Sequence, residues 1–178
     1  MHGTEAPSPW IRRWSHLVPA GGSVLDVACG RGRHLRWFAG RGHPVTGVDR
    51  DADALASVAS AGRTLVADLE NGAWPLPGER FAAVVVTNYL WRALFPSLLD
   101  SLAPGGALLY ETFAEGHETV GKPSRPDFLL RQGELLSLCQ GLRIVAYEDG
   151  FQPDPDRFVQ RIAAVRPLAG NGRARYTL

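Results

Sequence analysis

The chain has 178 residues, 45% of them apolar, which fits one domain whose core needs no disulfide staples. Lys and Arg number 19 against 18 Asp and Glu, a net charge of +1, and so even a balance argues against a protein built to grip nucleic-acid phosphates. No run approaches the ~20 apolar residues of a membrane span, residues 1–14 hold no signal-peptide core, and Cys29 and Cys139 lack CxxC partners, so a soluble cytoplasmic protein is expected.

Trp10, Trp14 and Leu17 recur at helical spacing and predict a helical segment within residues 1–20, ended by Pro19 and Gly21–Gly22. A first strand is expected over 23–27, stopping at a glycine-containing turn, and a helix over 31–40 with Leu35 and Phe38 on one face. A buried run at 45–48 stops at Asp49, an Ala-rich helix follows over 51–60, and a third run at 64–67 stops at Asp68. Residues 81–87 are all apolar or β-branched, as a strand covered on both faces requires. Leu90, Leu94, Leu98 and Leu102, four apart, predict a helix burying one stripe, broken by Pro104-Gly105-Gly106 before a strand that begins at Ala107. A polar loop over 114–127, a helix over 134–140, and strands at 143–147 and 158–165 complete a domain of residues 1–167, with a frayed tail at 168–178. Alternating strands and helices make this an α/β protein: a Rossmann-like, open, mostly parallel seven-stranded sheet with helices on both faces. The last two strands are joined by a link too short for a crossover helix, so they should form an antiparallel hairpin at one edge.

In such sheets ligands bind at the carboxyl ends of the strands. The first strand ends in Asp26-Val27-Ala28-Cys29-Gly30-Arg31-Gly32, where glycines let a ligand approach the backbone and the next helix turns its amides toward it. Asp49, 19 residues beyond Gly30, can accept from both hydroxyls of a ribose. A nicotinamide dinucleotide fingerprint asks for a third glycine where this chain has Leu35, so an NAD(P)-dependent oxidoreductase is a minor alternative.

Taken in order, Val24-Leu25-Asp26-Val27-Ala28-Cys29-Gly30-Arg31-Gly32, Val48-Asp49, Ala67-Asp68-Leu69, Val85-Val86-Thr87-Asn88-Tyr89-Leu90 and Leu102-Ala103-Pro104-Gly105-Gly106 resemble the motifs of class I S-adenosylmethionine-dependent methyltransferases over about residues 20–165. Within that family, Ala28-Cys29-Gly30-Arg31-Gly32-Arg33-His34 is most similar to tellurite-resistance-type and related small bacterial enzymes. The resemblance implies S-adenosyl-L-methionine as cofactor and S-adenosyl-L-homocysteine as product. It gives Asp26 the task of orienting the loop and holding the methionyl amine through water, and makes Ala28, Cys29, Gly30 and Gly32 the cofactor's backbone lining. Asp49, with Arg50 beside it, would meet the ribose, Asp68 the adenine amino group, Leu69 the ring, and Asn88 the neighbourhood of the sulfonium. Ala28 replaces the family's usual glycine, harmless at negative φ and straining at positive φ. Cys29 reads as a small filler.

On the acceptor side, Tyr89 and Glu111 are the candidate catalytic residues, Glu111 as a proton acceptor or merely a partner of a neighbour. Trp91 fits acceptor site or core equally, and Arg92 could face the acceptor. Lys122 and Arg125 in the 114–127 loop could meet an anionic acceptor, against the plainer reading of a solvated loop, and Trp10 and Trp14 could form a lid or simply pack. His2, His16, His34, His43 and His117 lack metal-ligand spacing, and no hydrolase elbow or phosphate loop is present, so no metal is expected. After Asn88 the chain reads Tyr89-Leu90-Trp91 rather than the proline-proline-aromatic grip on a flipped base, which favours a small-molecule acceptor over nucleic acid. A binding module that has lost turnover is the competing class.

Overall fold

The computed structural model describes residues 6–168, 170 and 174–178. The expectations for residues 1–5 and for part of the tail therefore lie outside the described residues. The elements are α1 (Pro9–Trp14), β1 (Val24–Val27), α2 (Arg33–Ala39), β2 (Val45–Asp49), α3 (Ala52–Ala56), β3 (Arg63–Val66), β4 (Phe81–Thr87), α4 (Phe95–Asp100), β5 (Leu102–Phe113), α5 (Glu134–Leu138), β6 (Arg143–Gln152) and β7 (Arg157–Val165). The strands form one sheet in the order β3-β2-β1-β4-β5-β7-β6. From β3 to β5 neighbours are parallel, and β7 runs antiparallel between β5 and β6.

Alternate residues of the central strands feed two cores. Leu25, Val27, Val84, Val86, Leu108 and Tyr110 face the side covered by α4 and α5. Val24, Ala83, Val85 and Leu109 face Trp10, Ile11, Trp14, Leu35 and Phe38 on α1 and α2. Trp10 and Trp14 are core, their rings 5.6 Å apart, which answers the packing-or-lid question in favour of packing.

Three elements differ from the sequence expectation. All four leucines of the stripe are buried, but the α-helix is only Phe95–Asp100, preceded by a 3-10 turn at Arg92–Leu94. Leu90 is buried ahead of these turns, and Leu102 already belongs to β5. Pro104-Gly105-Gly106 lies inside β5 as an irregularity, its Gly105 N–H donating to the carbonyl of Arg166 just past β7 at 2.9 Å, so the regular ladder with β4 begins at Ala107. β6 extends to Gln152, because an edge strand tolerates the polar Glu148-Asp149-Gly150. Near the end of the chain Tyr176 is half-buried under Arg143, and the Thr177 carbonyl meets His16 at 3.0 Å, so these tail residues pack.

Candidate cofactor and active site

The chain leaves β1 to build β2 and β3 on one side, then returns to place β4 on the other. The strand order reverses between β1 and β4, so their carboxyl ends open a crevice. Two cavities occupy it and meet at Ala28. One, of about 210 Å³, is lined by Asp49, Arg50, Asp68, Leu69 and Tyr89. The other, of about 340 Å³, is lined by the 28–33 loop with Arg36, Thr87 and Asn88.

The loop is a sequence of left-handed residues: Ala28, Gly30 and Gly32 have φ of 53°, 52° and 65°. At Gly32 a Cβ would also lie 2.8 Å from Val58, so glycine is required twice over. Ala28 adopts the straining alternative, at a cost of roughly 1–2 kcal/mol. Asn88, at the end of β4, is left-handed as well, and its N–H donates to the Glu111 carbonyl at 2.9 Å.

Asp49 pins the loop to β2. Its Oδ2 accepts from Gly30 N–H at 2.7 Å and its Oδ1 from Asp51 N–H at 2.9 Å. A carboxylate has about four lone-pair sites, so one on each oxygen is left for a ligand. Asp68 is exposed and takes three donors, the amides of Glu70 and Asn71 and the Asn71 side chain, which leaves about one site. The Asn71 side chain, then the two amides, hold its carboxyl below the usual range, so it is ionised. Leu69 is buried beneath it. The Tyr89 hydroxyl is buried without a hydrogen-bond partner, and burial pushes its pKa up to about 12.

Asp26 lies under the loop, 2% exposed, and Oδ2 has no hydrogen-bond partner. Burial pushes its pKa up to about 8. Beside it at 3.9 Å is Nδ1 of His34, whose Nε2 accepts from Ser8 N–H at 3.2 Å and whose pKa burial lowers to about 3. Cys29 is 8% exposed and burial pushes its thiol up, consistent with a filler.

The structure brings Ala28, Cys29, Gly30, Gly32, Asp49, Arg50, Asp68, Leu69 and Asn88 to the crevice wall, with Asp26 beneath it. Tyr89, expected to face the acceptor, instead lines the Asp49–Asp68 cavity. Its backbone carbonyl accepts from the Tyr110 hydroxyl at 2.7 Å, which fixes that direction. Glu111 lines neither cavity. It is 1% exposed, with one oxygen held by the Ser8 hydroxyl at 2.8 Å and the other by Arg161, so it holds neighbours together rather than standing ready for a proton. Arg92 is likewise engaged, bidentate to Glu134 at 2.6 and 2.8 Å and bonded to the carbonyls of Asp127 and Leu129, and Trp91 packs on the core.

The 114–127 loop is anchored at both ends. Leu130 N–H reaches the Phe113 carbonyl at 3.0 Å, Glu115 N–H the Leu130 carbonyl at 2.9 Å, and His117 stacks on Phe113 at 4.3 Å. Arg125 pairs with Asp127 at 3.0 Å. Lys122 and Arg125 line neither crevice cavity, and the cavity at the loop's base, about 510 Å³, carries Glu115 and Asp149 but no Lys or Arg. Its charge is opposite to what an anionic acceptor requires. Sequence reasoning missed the buried chain Asp26–His34–Ser8–Glu111–Arg161, whose Ser8–Glu111 link spans 103 positions and has no local signature.

A mostly parallel sheet of this order, with a glycine loop after β1 and acids after β2 and β3, is a Rossmann-like fold shared with solved methyltransferase structures. Residues 24–106 match the family described as "Methyltransferase domain". The chain is 33% identical over 135 residues to a tRNA U34 carboxymethyltransferase of Klebsiella pneumoniae, covering 66% of this chain but only 40% of that relative. A thiopurine S-methyltransferase of Pseudomonas fluorescens is 28% identical over 165 residues, covering 87% of this chain and 71% of the relative. TehB from Haemophilus influenzae shares the fold, with a TM-score of 0.78 at 15% identity, over 93% of this chain and 64% of that one.

Proposed function

We propose that the protein transfers the methyl group of S-adenosyl-L-methionine to an acceptor at the Asn88 end of β4, releasing S-adenosyl-L-homocysteine. The observation that carries this reading is the pattern of unused hydrogen-bonding capacity at the crevice: about one acceptor site at Asp68 and one on each oxygen of Asp49, with an orphan oxygen on Asp26 beneath the loop, in reach of the methionyl end through water. In that order along β3, β2 and β1 they suit an adenine amino group, two ribose hydroxyls and a methionyl amine. Leu69 supplies apolar surface for the ring, the orphan Tyr89 hydroxyl a further partner on the adenosyl side, and Arg50 borders the ribose.

When bound, the cofactor supplies a methyl group on a good sulfonium leaving group. The protein's work is alignment: left-handed Asn88 and the 28–32 loop set the backbone against which the methionyl arm lies, and Thr87 and Asn88 border the path of an incoming nucleophile. A base is needed only for an acceptor that must lose its proton early. Residues 1–167 act as one domain in this reading, in the cytoplasm, supported by two free, buried cysteines.

A small-molecule acceptor is supported by the likeness to the thiopurine enzyme and by a crevice of two modest cavities. A nucleic-acid acceptor is favoured by the arginines around the second cavity, Arg31, Arg33 and Arg36, and by the name of the tRNA-directed relatives. Calorimetry with S-adenosylhomocysteine and thermal shift against NAD and NADP test the cofactor; stabilisation by the dinucleotides alone would overturn it. Methyl transfer from labelled S-adenosylmethionine to a small-acceptor panel and to bulk tRNA tests the acceptor class, and cofactor binding with no transfer to any acceptor would return the protein to a binding module.

A further inference from the structure

The net charge of +1 conceals a segregation. Residues 6–48 contain six arginines, Arg12, Arg13, Arg31, Arg33, Arg36 and Arg41, and a single carboxylate, the buried Asp26. From residue 49 onward the chain has 13 basic and 16 acidic residues. Folding brings the six arginines together, because α1 and α2 pack side by side on one face of the sheet.

They line two depressions along α2. The cavity beside the glycine loop carries Arg31, Arg33 and Arg36, and a shallow groove of about 470 Å³ between α1 and the end of α2 carries Arg12, Arg13 and Arg41. Among the described residues no carboxylate lines either one. Arg33 in the first and Trp37 in the second are four residues apart, so they lie on the same helix face, ~6 Å apart along the axis.

The guanidiniums of the groove are ordered by aromatic rings more than by acids. Arg41 lies 3.1 Å and Arg12 5.2 Å from the Trp37 ring centroid, and Arg13 lies 4.9 Å from that of Trp14. Among the described residues only Arg13 of these three approaches an acid, Glu148 at 3.9 Å, with both side chains well exposed. A ring fixes a guanidinium's plane without neutralising its charge and leaves N–H edges for a phosphate. Arg31 is exposed, and Arg33 and Arg36 are engaged in further interactions.

We propose that this face binds the phosphate backbone of a single-stranded nucleic acid, running along α2 from the α1 groove to the mouth of the methionyl cavity. Two adjacent arginine-lined depressions suit a repeating anion, whereas one small anion would fill only one. A helix of seven residues lying flush against the sheet does not project into a duplex groove, which favours a single strand. The inference stands on the surface alone and does not depend on the cofactor reading.

The test is fluorescence anisotropy with a short labelled RNA, without cofactor, across a salt series. Contacts to about four phosphates give a slope of log affinity against log salt near −3, so binding weakens about 50-fold between roughly 50 and 200 mM salt. Joint Arg12→Gln, Arg13→Gln and Arg41→Gln substitution should flatten that slope by about 2, while the matching lysine variant keeps it. Unchanged affinity for S-adenosylhomocysteine shows that the glutamine variant is folded. Single-stranded DNA of the same length should bind similarly, and the duplex more weakly. No binding at low salt, a slope untouched by the glutamine variant, tighter binding of the duplex, or a preference for anionic lipid vesicles over RNA would each overturn the proposal.

Discussion

Replacing Asp49 by asparagine separates holding the glycine loop from holding a ribose. The carboxylate serves Gly30 N–H at 2.7 Å and Asp51 N–H at 2.9 Å, one on each oxygen. An amide has one oxygen, so whichever backbone donor it keeps, its NH₂ faces the other. An unsatisfied donor costs ~1–3 kcal/mol, and at this half-buried position water takes up part of the loss, leaving about 1 kcal/mol. For a chain of this size that lowers Tm by roughly 2–4 °C. Cofactor binding should fall further, because the charged acceptor for two hydroxyls is gone. Hydrogen bonds to a charged group contribute about 1.5–3 kcal/mol, so Kd for S-adenosylhomocysteine should rise about 12- to 150-fold. Asp49→Ala should lose as much affinity. Calorimetry gives Kd and thermal unfolding without ligand gives the loop contribution. A lowered Tm with unchanged Kd would refute the ribose assignment and leave Asp49 a loop tether.

Glu111→Gln removes the charge facing half-buried Arg161, which keeps Glu148 at 3.0 Å; denaturant unfolding should show a loss of about 2 kcal/mol, while the pH dependence of methyl transfer stays as in the wild type. A shifted pH profile with intact stability would make Glu111 a proton acceptor after all. Ala28→Gly relieves roughly 1–2 kcal/mol of left-handed strain against about 0.5–1 kcal/mol of added chain entropy, so Tm should rise slightly and Ala28→Val should lower it; a loss of stability in the glycine variant would contradict the strain. Asp26 and His34 titrate against each other. Asp26 keeps a proton in the folded state from its ordinary 3.8 up to about 8, which costs stability as pH rises, while His34 resists one from 6.5 down to about 3, which costs stability as pH falls. Between 3.8 and 6.5 the two slopes oppose, so Asp26→Asn should unmask that of His34: the variant loses up to about 1 kcal/mol per pH unit on acidification from pH 6.5 to 5, measured relative to the wild type by urea unfolding. A flat profile in the variant between pH 6.5 and 5 would remove His34 from the account, and parallel profiles would remove Asp26.

The strands of the sheet were legible where burial on both faces demands unbroken apolar runs, as in 81–87, and the candidate cofactor acids because they end such runs. The helix after β4 was overread: leucines four apart are all buried, but Leu90 and Leu102 lie outside the turns between Arg92 and Asp100, so even spacing did not mean one continuous helix. β6 was cut short because Glu148, Asp149 and Gly150 look like a turn, although an exposed edge accepts them. Ala28 could be posed only as two alternatives, since the sign of φ is set by the surrounding loop. The direction of Tyr89 depended on a Tyr110 hydroxyl 21 positions away, and the pairing of Glu111 on Ser8 and Arg161, contacts that no window of sequence contains. Whole-chain charge was the least informative quantity, because it averages over faces that folding separates.

The placement of β7 also orders the birth of the molecule. Among the described residues β6 pairs with no strand but β7, and β7 follows every other strand in sequence. As the polypeptide leaves the ribosome, β5 and β6 each wait with an open edge until residues 157–165 arrive to bridge them. Arg161, which grips Glu111 and through it the Ser8 turn, arrives on the same segment. A stop codon in the turn before β7 would therefore strip two strands from the sheet rather than one and release the amino-terminal end as well. The sheet closes only after residues 157–165 have been made.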